Sequence, residues 1–275
     1  MTPRDATAAD TTPVVVEAVR TPLGVDDGVF ADVRSEDLSV PLVDELLART
    51  GLDGDAVDDL LWGCAQQRDE QGNNLARVIA LLSDLGESVP GATINRWCAS
   101  SAEAIARGAD AVAAGQRECL IVGGVENMSR VAIAGNIDSV HPGLADRYDL
   151  DDLNMGQTAE AVAERFDVSR TAQDEYALRS HRRAAEAADS GAFDEEIVPV
   201  ETPNGRVSRD EGIRPDTSLD RLAELPTVFR DDGTVTPGNA SQISDGAAAM
   251  LVTSRAFADR HGLSVLGEIG GHAVA

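Results

Sequence analysis

Short runs of β-branched and apolar residues alternate along the chain with longer Ala- and Leu-rich stretches whose apolar positions recur at helical spacing. That alternation is the pattern of an α/β protein. The runs predict strands at 14–18, 59–62, 92–97, 119–122 and 248–253. The stretches predict helices at 38–49, 74–85, 101–114, 158–166, 170–190 and 255–261. The helix at 170 has the clearest start. Ser169 can cap it, and Asp174 and Glu175 lie in or near its first turn, where the positive helix end favours acids.

The regular alternation stops between about Ser129 and Thr236. That stretch holds two helical patterns among long polar segments such as TPNGRVSRDEGIRPDTS. A structureless loop of that size does not suit a compact domain, so the stretch reads as an inserted subdomain. Beyond it, GNASQISDGAAAMLVTS resumes with a Gly/Ser loop and a buried strand, and the final GEIGGHAVA reads as one more strand. No repeat of solenoid length is present.

Charge narrows the function classes. Of 275 residues, 23 are Lys or Arg and 48 are Asp or Glu, a formal net charge of −25, and none is lysine. Such a surface repels phosphate backbones and anionic headgroups, which excludes nucleic-acid and membrane-surface binding. The hydrophobic fraction, 43%, is that of a folded protein. Excess Asp with absent Lys reads as adaptation to high salt, where screening weakens self-repulsion. GC-rich codon drift would explain Arg in place of Lys, but not the deficit of cations.

The length allows one large domain or two smaller ones. Three cysteines, Cys64, Cys98 and Cys119, lack metal-like spacing and point to a reducing compartment, with no disulfide framework and no zinc site. Residues 1–12 read as a short polar leader, not a signal peptide. No apolar run approaches a membrane span. A soluble, cytoplasmic protein is expected.

The densest chemical signal is INRWCASSAEAIARGADAVAAG. A buried strand is expected to end there, with Cys98 at the corner and small residues leading into an alanine-rich helix. A group so placed faces the unpaired N–H groups and positive end of the helix, which stabilise negative charge and polarise a bound carbonyl. An acyl-accepting nucleophile needs that placement; the competing reading of Cys98 is a small buried hydrophobe. Cys119 and Cys64 read as packing, with Cys64 at a strand-to-loop corner. His141, His181, His261 and His272 form no constellation, and His181 and His261 read as solvated surface residues. GGVENMS reads as a tight turn under the nucleophile, and GTVTPGNASQISDGAAA as a close-approach loop offering backbone, Ser and Asn groups to a polar ligand. Asp231–Asp232 and Asp151–Asp152 read as solvated acids.

Eight segments, in one order, resemble the thiolases, the acyl-CoA acyltransferases of the thiolase superfamily. They are VRTPLG, GCAQQRDEQGNNLAR, NRWCASSAEA, VGGVENMSR, MGQTAEAVAERF, SRTAQDEYALRSHRRA, IRPDTSLDRLAEL and GTVTPGNASQISDGAAAMLV. The resemblance implies a layered βαβαβαββ core at 13–128 plus 238–275, with a mainly helical loop domain inserted at 129–237. It implies that Cys98 takes the acyl group as a thioester. It also implies that Ser241 contacts the pantetheine arm of coenzyme A, that Arg214 lies near the nucleotide end, and that Met155 lines the pantetheine tunnel. Coenzyme A enters as substrate; no resident cofactor and no metal are implied.

Asn154 stands where many thiolases have His, a departure at a position that the resemblance places against coenzyme A or the acyl tail. Ser101 replaces a frequent glycine and Pro237 a frequent alanine. The family's second core domain, with its Gly-His-Pro and Cys-x-Gly-Gly-Gly segments, has no counterpart here, and His272 in GGHAVA does not match that histidine. The resemblance thus implies 3-ketoacyl-CoA thiolysis or the reverse condensation, in a homo-oligomer, with a separate chain as one source of the second domain. A non-catalytic coenzyme A-binding or assembly subunit, or an inactive gene fragment, is the rival expectation.

Overall fold

The computed structural model describes residues 10–133, 141–150 and 153–274. Most of the polar leader and all of Asp151–Asp152 lie outside the described residues. The chain divides into two compact units.

The first unit comprises residues 1–132, 195–209 and 244–275. Its strands are β1 (Pro13–Arg20), β2 (Gly24–Val25), β3 (Asp59–Gly63), β4 (Gly91–Ile94), β5 (Cys119–Asn127), β6 (Val200–Thr202), β7 (Gly205–Val207), β8 (Ser244–Ser254) and β9 (Gly267–Glu268). Its helices are α1 (Ser35–Thr50), α2 (Leu75–Leu82), α3 (Ser100–Ala113) and, after β8, a helix over Arg255–His261. Among the described residues seven strands form one sheet, with β4, β3, β5, β8, β1 and β9 in order and β2 against β8. The order β1-α1-β3-α2-β4-α3-β5-β8 is βαβαβαββ. β3 runs parallel to β4 and β5, because α2 and α3 are crossovers, whereas β8 lies antiparallel between β5 and β1.

The two faces of β5 follow its alternation. Cys119, Ile121 and Val125 join a core with Leu38, Leu42 and Leu46 of α1 and Leu75 and Ile79 of α2, around fully buried Trp62 and Phe30. Leu120 and Val122 point the other way and meet Val112 and Ile105 of α3. Burying each large side chain of the first core contributes about 1.5–3 kcal/mol.

Residues 195–209, which the sequence reading placed inside the insertion, belong to this unit. The Arg20 N–H donates to the Glu196 carbonyl at 2.8 Å, and the Val198 N–H to the Arg20 carbonyl at 2.8 Å. β6 and β7 then form a hairpin, Thr202 opposite Gly205, closed by Pro203–Asn204. Gly205, the first residue after this loop, has a φ of +118° that only glycine adopts readily.

The second unit, residues 133–194 and 210–243, is mainly helical. It holds α4 (Met155–Arg165), α5 (Arg170–Asp189) and α6 (Leu219–Ala223). Ser169 caps α5 as read, its side chain accepting the Ala172 N–H at 3.2 Å. Ala177 and Leu178 of α5 pack on Leu222 and Leu225. Among the described residues no helix is long and apolar enough to cross a membrane.

Candidate active site

Cys98 follows β4 and stands just before Ala99, the N-cap of α3, in the first unit. The strand before it is shorter and less buried than read: it ends at Ile94 and is half exposed, because β4 is the sheet edge and, among the described residues, pairs only with β3. The five residues after it form a tied corner. The Asn95 carboxamide oxygen accepts the Trp97 N–H at 2.9 Å, and its amide donates to the Ala65 carbonyl at 2.9 Å. The Ser100 hydroxyl donates to the Trp97 carbonyl and accepts the Arg96 N–H at 2.9 Å. Trp97 is held at a φ of +50°, costly for a bulky side chain. Cys98 emerges from this corner exposed.

The helix behind it sits very close to the sheet. A Cβ on Gly63 would collide with the Ser101 backbone nitrogen, and a Cβ on Gly124 with the Ser101 side chain and the Gly63 carbonyl. Gly123 and Gly124 therefore do not make the tight turn read from GGVENMS. They lie within β5, where missing side chains let Trp62 approach one face and α3 the other.

The other thiols are buried. Burial, and then the nearby Glu126 carboxylate, push the Cys64 thiol up to about 12. Burial, with Asp58 and Glu118, pushes Cys119 higher still. Both are held as thiols at neutral pH, so neither competes as a nucleophile. The Glu126 carboxylate ties this end of β3 to β5, accepting the N–H groups of Ala65 at 2.8 Å and Gln66 at 3.2 Å and the Gln71 amide at 2.7 Å. Sequence reasoning missed this network, whose buried Gln71 gives no periodic signal.

Asn154, Met155, Arg214 and Ser241 all lie in the second unit, and all four are exposed. Asn154 is the N-cap of α4, its side chain accepting the Gly156 N–H at 2.9 Å, and Met155 is the first residue of the helix. The Arg214 N–H donates to Nδ1 of His181 at 3.2 Å. His181 is thus half-buried and holds a loop, unlike the solvated residue read from sequence. Gln242, next to Ser241, packs its side chain where Gly212 leaves room, bringing the Ser241 segment beside that of Arg214. His261 is exposed as read and stacks on Phe257, and His272 pairs with Asp110 at 3.4 Å. In the loop between α6 and β8, Asn239 is structural: its amide donates to Asp174 at 3.0 Å and to the Thr234 carbonyl at 3.1 Å.

Comparison with known proteins bears on this arrangement. The family model described as the thiolase N-terminal domain matches residues 13–256. A 3-ketoacyl-CoA thiolase of Pectobacterium carotovorum subsp. carotovorum (strain PC1) is 44% identical over 269 residues, covering 95% of this chain and 69% of its own. One of Bacillus subtilis (strain 168) is 42% identical over 267 residues, covering 92% and 68% respectively. The crystal structure of the Bacillus anthracis acetyl-CoA acetyltransferase superposes with a TM-score of 0.84 at 34% identity, over 95% of this chain and 70% of that one.

Proposed function

The chain belongs to the thiolase family of acyltransferases, and from that premise we propose that Cys98 is the nucleophile that carries the acyl group in the reaction 3-ketoacyl-CoA + CoA to acyl-CoA + acetyl-CoA, or its reverse. The observation that supports this is the contrast among the three thiols. Cys98 is exposed at the start of a fourteen-residue helix, while Cys64 and Cys119 are buried and held protonated. The setting is acyl-CoA and fatty-acid metabolism.

In this reading the Cys98 thiolate adds to the 3-keto carbon, and the bond between C2 and C3 breaks. Acetyl-CoA leaves as its enolate and is protonated; a second CoA thiolate then takes the acyl group and frees the cysteine. Covalent catalysis divides one carbon–carbon cleavage into two easier steps. Oxyanions formed beside Cys98 lie at the positive end of α3, where fixed dipoles stabilise them.

We assign the first unit to the family's N-terminal core domain and the second to its loop domain. Ser241 then meets the pantetheine arm, Arg214 the nucleotide end and Met155 the pantetheine tunnel, with Asn154 at the acyl or coenzyme A contact. Exposed side chains at all four positions support this. Coenzyme A is substrate, not resident cofactor. A cytoplasmic, homo-oligomeric protein adapted to high salt completes the proposal, with a separate chain as one possible donor of the second core domain. Incubation with an acyl-CoA followed by peptide mass mapping tests it: a thioester adduct should appear on the Cys98 peptide and be absent in Cys98→Ala. An adduct on another residue, or one surviving in that variant, would overturn the assignment.

A further inference from the structure

Glu160 lies in the middle of α4, almost fully buried, and its carboxylate faces the segment that leads to Ser241. One oxygen accepts the Thr234 N–H at 2.9 Å and the Val235 N–H at 2.8 Å. The other accepts the Thr234 hydroxyl at 3.0 Å, and the Gln173 amide completes that hydroxyl at 2.9 Å. Gly233 leaves room for this approach, since a Cβ there would collide with the Glu160 carboxylate. Burial alone would raise the Glu160 carboxyl, but the hydrogen bonds from Val235 and Thr234 outweigh it and hold the group below its usual range.

Beyond Thr234 the chain closes on itself. The Thr236 N–H donates to the Asn239 side chain at 2.8 Å, and the Ala240 N–H to the Thr236 carbonyl at 3.1 Å. Asn239 is fastened to Asp174 of α5 at 3.0 Å, and Asp174 accepts Arg170 Nε at 2.9 Å. Ser241 is the second residue after Asn239, so its position follows from where this turn is fastened. The same helix that carries Glu160 begins at Met155 with Asn154 as its cap. Along α4, Gln157 donates to the Phe229 carbonyl at 2.8 Å and accepts Arg230 Nε at 2.8 Å, so the 229–235 segment lies along the helix.

We propose that Glu160 is a positioning residue for coenzyme A, fixing the turn that carries Ser241 against the helix whose first residues are Asn154 and Met155. This rests on the reading of Ser241 as a pantetheine contact. A carboxylate suits the task because it accepts several N–H and O–H donors at once without offering one of its own. An amide that kept its oxygen on the two backbone N–H groups would turn an N–H₂ toward the Thr234 hydroxyl, which already accepts the Gln173 amide. The turn would then be released or shifted, and a contact displaced by about 1 Å can lose about a hundredfold in effect.

The test is calorimetric titration of coenzyme A into the 275-residue chain, as wild type, Ser241→Ala, Glu160→Gln and the double variant, with thermal melting of each. Glu160→Gln should weaken coenzyme A about ten- to hundredfold, and the double variant should bind no more weakly than Glu160→Gln alone. A side chain that only stabilised the fold would lower the melting temperature and leave the affinity of the folded variant unchanged, and one that acted on coenzyme A independently of Ser241 would give additive losses. Thr234→Val, which deletes the hydroxyl's bonds to Glu160 and Gln173 but leaves both backbone N–H bonds to the carboxylate, should give a smaller loss in the same direction, so the proposal stays testable if Glu160→Gln unfolds. Weakening by Ser241→Ala together with wild-type affinity of Thr234→Val and of a folded Glu160→Gln would overturn the positioning role. Additive losses in the double variant would overturn it too. Wild-type affinity of Ser241→Ala, or no binding by the wild type, would overturn the Ser241 reading itself, and the positioning role with it.

Discussion

A single methyl group at Gly63 would strike the Ser101 backbone, and one at Gly124 the Ser101 side chain and the Gly63 carbonyl. The atoms facing Gly63 are backbone of α3 and not the free end of a flexible side chain, so α3 would have to move. Gly63→Ala should destabilise the first unit by about 1–3 kcal/mol, read by urea unfolding, and an unchanged midpoint would refute the close seating of α3. These glycines were visible in the sequence but their role was not. A period-two pattern treats glycine as neutral, and only the register that sets Gly63 beside Gly124 shows what they make room for. Cys98 was legible for the opposite reason: local order placed it at a strand-to-helix corner whatever the tertiary packing. Its exposure was not legible, because edge position depends on pairing that no local pattern encodes.

At the scale of elements, sequence reading found the helices well and their limits less well. α1 was read from 38, yet it begins at Ser35, so Pro41 sits in the second turn. Proline is ordinarily tolerated in the first turn, so its place in the second is a departure from the local rule. The 200–207 hairpin was missed inside a polar stretch although Pro203, Asn204 and Gly205 are all turn residues. Two predictions belong here. Ser169→Ala removes the cap of α5 and should cost about 1 kcal/mol, measured as a lower melting temperature. Glu70 is the second: burial alone would raise its carboxyl, but Arg130 at 2.9 Å, the Ser35 N–H and Arg34 hold it below the usual range. A carboxylate with a depressed folded pKa contributes stability above its unfolded value of about 4.3, and that contribution is lost as pH falls through the acid range. Wild type should therefore lose more stability between neutral pH and pH ~4 than Glu70→Gln does; parallel losses would remove Glu70 from the account.

For the whole molecule, a net charge of −25 carried without lysine sets the dependence on salt. The screening length falls from about 10 Å at 0.1 M to about 3 Å at 1 M. The melting temperature should accordingly rise steeply over that range, and a flat profile would count against adaptation to high salt. The described chain spans 69% of the length of the Pectobacterium relative. The resemblance to thiolases implies that the groups that move protons in the reaction belong to the Gly-His-Pro and Cys-x-Gly-Gly-Gly segments, which have no match among these 275 residues. Losing one general base typically costs about 10²–10⁴ in rate. These residues tested by themselves should give no measurable thiolysis of acetoacetyl-CoA, with some activity gained when a second core domain is supplied. Turnover by this chain alone that depends on Cys98 would show a base within it.

The central claim, that Cys98 is the reactive thiol of a coenzyme A site, is tested most directly by competitive alkylation of the folded chain. With iodoacetamide at neutral pH, peptide mapping should find Cys98 modified first, Cys64 and Cys119 left intact, and the Cys98 rate lowered by added coenzyme A. Equal modification of the three thiols, or a Cys98 rate indifferent to coenzyme A, would contradict it.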